Sequence, residues 1–330
     1  MYKYQPKHIL LFLMAFMLLG CNDPAHSPYP EVNFVRKAVI PAVCRASAVS
    51  FVLDSKGYVA LGRNGNGGLK DCWQYDPTQD TWTEKAGFPG TARVKAMAAV
   101  ANGKAYVGLG FDPTYSVYSN QSAYLTDFWM YDPNIDTWTQ KAKFPGTETD
   151  ACVSFTIGNE IYIGSGFDGH GFGSEFWKYN PDNDTWTRIV DFPGAKRFGA
   201  TLCSNGTQVY FGTGYSTYNQ SDWWEYFPAT DSWKKRNSMP DNGRVNALSL
   251  IVNNRIFVTT GRNFAGNYTG GGVRSDILEY NSTKGVWYKR GSIPEGAREN
   301  AVAFTIDGKA YIGLGENDTR ILDDFWSFEP

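Results

Sequence analysis

The chain has 330 residues, of which 16% are aromatic, 19% are charged and 35 are glycine, and its formal net charge is −2. So small a charge, with no basic run, excludes long-range attraction to nucleic acid. The abundance of aromatics and glycine, without the alanine-, glutamate- and lysine-rich texture of helices, points to an all-β protein with tight turns.

Residues 1–20 read as a targeting segment. Lys3 and Lys7 supply a positive start, and Ile9 to Leu19 is an apolar stretch too short to span a bilayer as a stable helix. It ends Leu18-Leu19-Gly20-Cys21, which resembles a bacterial lipobox. That resemblance implies cleavage before Cys21, acylation of its thiol and new amino group, and attachment to the bacterial envelope, at the outer membrane, periplasmic or surface-facing. An ordinary signal peptide with an incidental cysteine is the alternative. Losing Lys3 and Lys7 leaves 29 basic against 33 acidic side chains, a mature charge near −4. Residues 21–33, with three prolines and no apolar period, read as a tether.

From residue 34 to 330 one frame recurs. Trp82 is followed by Pro89, Arg93 and Gly110, and the same spacing fits Trp186/Pro193/Arg197/Gly214, Trp233/Pro240/Arg244/Gly261 and Trp287/Pro294/Arg298/Gly315. Trp138/Pro145/Gly166 fits too, with Thr149 in the arginine place, and Phe34/Pro41/Arg45/Gly62 opens the series. A repeat of roughly 50 residues must be read before anything else. Within each copy the pattern predicts four short strands. In the second, Val94 to Val100 is apolar, Ala101 to Lys104 turns, Ala105 to Gly110 returns, and Phe128 to Tyr131 is followed by an Asp132-Pro133-Asn134 turn into Thr137 to Lys141.

Four short antiparallel strands per repeat are the signature of a propeller blade. The last copy stops after its third strand, Asp324 to Phe328, while Phe34 to Pro41 matches Trp82 to Pro89 with no strands before it. The N-terminal strand should therefore complete the last blade and close the ring, removing two open sheet edges. The expected fold is an all-β, six-bladed propeller.

These features resemble the kelch family over the whole repeat region. The marks are the glycine-ended second strands (Tyr58 to Gly62, Tyr162 to Gly166, Tyr311 to Gly315), the aromatic third strands at Trp73-Gln74-Tyr75 and Trp177-Lys178-Tyr179, and the fourth-strand tryptophan. Two features depart from the family pattern: the glycine doublet is Gly-x-Gly or a single glycine, and Leu278 replaces a third-strand tryptophan.

Four cysteines lie in the repeats, Cys44, Cys72, Cys152 and Cys203, with no C-x-x-C spacing and only His170 as a possible imidazole partner. No metal site or other cofactor is expected. Cys152 and Cys203 fall in apolar strand patterns and read as small buried hydrophobes. Copper chemistry of the galactose oxidase kind requires two histidines and is excluded by the same count.

In an antiparallel blade the start of strand one, where the arginine sits, and the end of strand two share one face. The variable loops also leave from that face, so it is the candidate binding mouth. Tryptophan to glycine is constant at 28 residues, whereas glycine to the next tryptophan spans 20, 28, 20, 19 and 26. Length variation on one face of a rigid scaffold is where recognition usually resides. Those loops carry Tyr115 and Tyr118, Tyr215 and Tyr218, and Arg262 and Tyr268, residue types suited to sugar or peptide contact.

Arg45, Arg93, Arg197, Arg244 and Arg298 would ring that mouth and could fork onto carboxylate, sulfate or phosphate. In kelch domains that bind acidic peptides, arginines at this place help line the pocket. The competing expectation is internal pairing, because Asp71, Asp127, Glu175, Asp222, Asp276 and Asp324 precede the third-strand tryptophan position by two in every copy. Glu148, Asp150 and Glu299 interrupt the basic ring and are candidate acid/base groups.

Two functions remain. The first is a lipid-anchored, monomeric, non-catalytic module binding a protein partner or glycan. The second, resembling N-acetylneuraminate epimerase, is a sugar-acid mutarotase, whose chemistry needs only positioned acid/base groups and a cationic clamp for the carboxylate.

Overall fold

The computed structural model describes residues 24–115, 123–147, 149–265 and 271–330. Among them, six four-stranded antiparallel sheets follow one another around a ring. Blade 1 comprises Val49–Leu53, Lys56–Ala60, Cys72–Asp76 and Thr81–Lys85, numbered from the axis outward. Blade 2 (Met97–Ala101 to Thr137–Lys141), blade 3 (Val153–Ile157 to Thr185–Arg188), blade 4 (Thr201–Ser204 to Ser232–Arg236) and blade 5 (Leu248–Val252 to Val286–Ser292) repeat the order. The chain is a six-bladed β-propeller.

Blade 6 is closed from the other end of the chain. Val302–Ile306, Lys309–Gly313 and Phe325–Glu329 supply three strands, and Asn33–Arg36 pairs as the fourth, Phe34 opposite Phe328 and Val35 opposite Ser327. The expected closure is present.

Why these residues make blades is visible in the burial pattern. First strands alternate buried and half-buried positions, as period-two geometry demands, while second strands are buried almost throughout because both faces meet neighbouring blades. The apolar clusters between the sheets span two blades: Val49 and Phe51 pack with Ala105, Val107 and Tyr131 of blade 2, and Val302 and Phe304 pack with Val59 and Tyr75 of blade 1.

A polar clamp recurs at the outer edge. Asp80 accepts from the Tyr75 hydroxyl at 2.7 Å and from the Ala38 amide at 2.9 Å, while the Trp82 indole donates to the Ala38 carbonyl at 2.8 Å. Asp136 and Trp138 hold Ala86 in the same way, and Asp184 and Trp186 hold Ala142. The tryptophan of the frame is thus an inter-blade tie. In blade 1 it grips the segment that closes the ring.

One expectation is corrected. The portion of the supposed tether that the structure describes is docked. Ala25 donates to the Trp287 carbonyl at 2.8 Å, Val32 to the Arg290 carbonyl at 2.9 Å, and Arg255 lies 4.4 Å above the Tyr29 ring. The physical reason is the long outer strand of blade 5, whose unpaired edge groups gain partners from this segment. Cys21 and the targeting segment lie outside the described residues.

Candidate functional site

The mouth is built by two circles of backbone hydrogen bonds. In the outer circle the glycine ending each second strand donates to the carbonyl at the arginine position of the next blade: Gly62 to Arg93 at 3.0 Å, Gly110 to Thr149 at 2.9 Å, Gly166 to Arg197 at 2.9 Å, and so on to Gly315 and Arg45 at 2.9 Å. Glycine is required because the chain entering the first strand passes directly over it. A Cβ on Gly62 would lie 2.6 Å from the Ala46 carbonyl oxygen, and Gly62 has φ +86°.

Ser47, Lys95, Ala151, Gly199, Asn246 and Asn300 form the inner circle, two places after each arginine position, all with φ between +49° and +57°. Amides donate from blade to blade around it, Lys95 to Ser47 at 3.0 Å, Ala151 to Lys95 at 3.0 Å and Gly199 to Ala151 at 3.1 Å. The left-handed backbone costs on the order of 1 kcal/mol at a residue such as Ala151 or Lys95. A blade-to-blade hydrogen bond of about 1 kcal/mol offsets it. The side chains at the mouth are therefore held on a fixed frame.

The five arginines do not face the opening. All are 0% exposed. Each forks onto the acidic residue of its own blade, Arg93 onto Asp127 at 2.7 and 2.8 Å and Arg298 onto Asp324 at 2.7 Å on both arms, with Asp71, Asp222 and Asp276 holding Arg45, Arg197 and Arg244. A third bond from each reaches the carbonyl just before the glycine, as in Arg93 to Leu109 at 3.1 Å. Arg93 and Arg197 also lie over the Phe88 and Phe192 rings at 4.7 and 4.9 Å. Burial alone would raise the carboxyls of Asp71, Asp127, Asp222 and Asp276, but the arginine's hydrogen bonds and charge outweigh it and hold them below the usual range. The expected ring of ligand-binding guanidinium groups is replaced by a ring of internal pairs.

Above the pairs, the residue after each arginine position bridges the residue after each glycine: Ala46 with Arg63, Val94 with Phe111, Asp150 with Phe167, Phe198 with Tyr215, Val245 with Arg262, and Glu299 with Glu316. These positions divide the mouth. Blades 5, 6 and 1 carry ion pairs, Arg262 with Glu299 at 2.5 Å and Arg63 with Glu316 at 2.5 Å, joined by Asn246 to Glu299 at 2.8 Å and Asn300 to Glu316 at 2.9 Å. Blades 2 to 4 carry rings instead, with Tyr124 against Phe111 and Phe167, and Phe172 stacked on Phe198 at 5.6 Å.

On the aromatic side sits Asp150. It is 2% exposed, and its Oδ1 has no hydrogen-bond partner among the described residues. Burial pushes its carboxyl above the usual aspartate range, against the pull of Lys95. The Lys95 ammonium lies 5.6 Å over the Phe198 ring. Glu299 occupies the equivalent place in blade 6, where Arg262 and Asn246 satisfy it.

A sequence profile for the Kelch motif matches residues 44–89 and 151–193, which bracket blades 1 and 3. No curated protein matches the chain. Among solved structures, one described as "Structure of YjhT" is similar in fold, with a TM-score of 0.76 at 18% identity over 88% of this chain and 95% of that one.

The other predicted residues scatter. Tyr115 is 46% exposed and Tyr218 70% exposed, whereas Tyr215 is buried among Phe172, Phe198 and Phe264, its hydroxyl donating to the Thr217 carbonyl at 3.1 Å. Glu148, Tyr118 and Tyr268 lie outside the described residues. Cys72, Cys152 and Cys203 are unbridged, and burial pushes their thiols up to about 12, so they stay protonated and inert. Sequence reasoning missed Lys95, Arg63, Glu316, Asn246 and Asn300. The signal was in the frame itself, at two places after the arginine and one after the glycine.

Proposed function

We propose that the mouth binds a carboxylated sugar and catalyses opening and closing of its hemiacetal, a mutarotase activity of the sialic-acid type. The observation that carries this reading is the pair formed by Asp150 and Lys95. A buried carboxyl whose hold on a proton is strengthened by desolvation is a candidate for general acid–base catalysis. Lys95 supplies a cation for the substrate carboxylate, and the half-buried Phe167 offers a ring to the apolar side of a sugar. The likeness to the solved structure at 18% identity concerns the fold alone and carries no part of this assignment. Anomer exchange of N-acetylneuraminate, followed by NMR, tests it. Wild-type protein should accelerate exchange over buffer and Asp150→Asn should lose about 10²-fold or more of that acceleration. Exchange at the buffer rate with wild-type protein would end the enzymatic reading.

A second, non-catalytic reading rests on Tyr115 and Tyr218, large aromatic side chains exposed on the loop face of blades 2 and 4. Such residues anchor protein or glycan partners. Glycan-array binding that survives Asp150→Asn and disappears with Tyr115→Ala and Tyr218→Ala would favour it. Attachment through a lipid on Cys21 would place either activity at the bacterial envelope, and palmitate labelling lost in Cys21→Ser tests that placement.

A further inference from the structure

Five blades contain an arginine in a recurring slot: a carboxylate that accepts both arms, a carbonyl that accepts a third bond, and an apolar floor that is a phenylalanine ring in blades 2 and 4 and Ile40, Met239 or Ile293 in the others. Blade 3 keeps the slot and lacks the arginine. Thr149 stands in its place and turns its hydroxyl aside, donating to the Asp150 and Phe167 carbonyls at 3.3 and 3.2 Å. The remaining walls correspond one for one. Phe144 takes the place of Phe88, the Ser165 carbonyl that of Leu109, and Glu175 that of Asp127. Between them lies a cavity of about 240 Å³.

Two further features distinguish it from a merely unfilled hole. The loop residue returning over the slot, which donates its amide to the frame glycine, is Leu69, Leu125, Gln220, Arg274 or Leu322 in the other blades, and in blade 3 it is Gly173. The roof therefore has no side chain. The carboxylate is also the least covered of the six, Glu175 being 37% exposed against at most 23% for its counterparts. Its present partners are weak. Arg188, itself half-exposed, reaches one oxygen at 3.4 Å, and the Trp177 indole reaches the other at 3.3 Å, where the indoles of blades 1, 2, 4 and 6 sit 2.6 to 2.8 Å from theirs. Nothing among the described residues forks onto Glu175.

We infer that the blade 3 slot binds a guanidinium group from outside the chain, the head group of arginine, over Phe144 and forked on Glu175. Five occupied blades show that the carboxylate and carbonyl accept a guanidinium, and blades 2 and 4 show the same group lying over a phenylalanine ring, so the ligand chemistry is read from the protein's own repeats. A flexible ammonium would satisfy one oxygen and leave the planar fork and ring face unused. The inference is independent of the sugar-acid reading, since neither Asp150 nor Lys95 takes part.

The test is binding of N-acetyl-arginine amide to the full chain, followed by the Trp177 indole N–H resonance, which is assigned by its absence in Trp177→Phe. The expected result is a saturable shift of that resonance at millimolar ligand. N-acetyl-lysine amide should give less than a tenth of the affinity, and Glu175→Gln should weaken binding at least tenfold. Thr149→Arg should abolish binding and raise the melting temperature by filling the slot in cis; if that variant fails to fold, Glu175→Gln and the lysine analogue still decide. Free arginine binding as well as the capped amide would identify a small-molecule source, and preference for the capped form would identify an arginine within a peptide. Equal affinity for the lysine and arginine analogues, no saturable shift at Trp177, or undiminished binding to a folded Thr149→Arg protein would overturn the inference.

Discussion

Blades 3 and 6 stand opposite each other across the ring and are built on the same frame, yet almost every polar position differs. Blade 6 has Arg298 locked on Asp324, Glu299 held by Arg262 and Asn246, Glu316 held by Arg63 and Asn300, and Leu322 over the top. Blade 3 has Thr149, an Asp150 oxygen with no hydrogen-bond partner among the described residues, Phe167, and Gly173 in the equivalent places. The backbone is the same in both, so the difference is chemical. Blade 6 is saturated with internal pairs, whereas blade 3 keeps an open slot and a carboxyl oxygen without a hydrogen-bond partner among the described residues. In a repeat protein, where five copies define what packing requires, the copy that departs is the one whose residues call for another explanation.

The largest test of this contrast concerns how blade 6 is completed. Deleting Asn33–Arg36 leaves its third strand as an open edge and removes the closing strand, and cooperative thermal unfolding should disappear. A melting curve unchanged by the deletion would refute the closure. Next in size, Arg298→Ala strands a buried Asp324 and should cost about 3–5 kcal/mol by urea denaturation, whereas Thr149→Ala should cost less than about 1 kcal/mol. Equal losses would mean that the two blades do not differ as described. Glu299→Gln should cost on the order of 1–3 kcal/mol through the weakened Arg262 and Asn246 contacts.

Smaller, and opposite in sign, is the effect of removing the charge at Asp150. Its folded-state carboxyl is raised, so the folded protein binds more protons than the unfolded chain. Stability from this group is present below the ordinary aspartate value and is lost as pH rises through the raised one. Asp150→Asn should therefore raise the melting temperature at pH 7 and leave it nearly unchanged at pH 3.5. The carboxyls of Asp71, Asp127, Asp222 and Asp276 behave in reverse. They are lowered, so their stabilisation is present above the ordinary value and disappears as pH falls through the lowered one, which makes the paired blades the acid-labile part of the ring.

Much of the fold was legible because its requirements fall on side chains. Trp82, Pro89 and Gly110 and their copies are visible as letters, and the missing strand after Phe328 announces the closure by Phe34. The arginine was legible but ambiguous. A guanidinium recognises an internal carboxylate and a ligand carboxylate by the same fork, and only burial separates the two. The inner circle was legible only as a place in the frame, two residues after the arginine, and not as a residue type. Ser47, Lys95, Ala151, Gly199, Asn246 and Asn300 share a backbone conformation and no side-chain chemistry. Their importance lies in where they point the groups next to them, Asp150 among them.

Asp150 is a buried carboxyl at the mouth with an oxygen that has no hydrogen-bond partner among the described residues, and titration of its side-chain carbon by ¹³C NMR, assigned by its loss in Asp150→Asn, is the decisive measurement. The midpoint should lie above the ordinary aspartate range and move higher still when Lys95→Met removes the neighbouring charge. A midpoint at or below that range would contradict it.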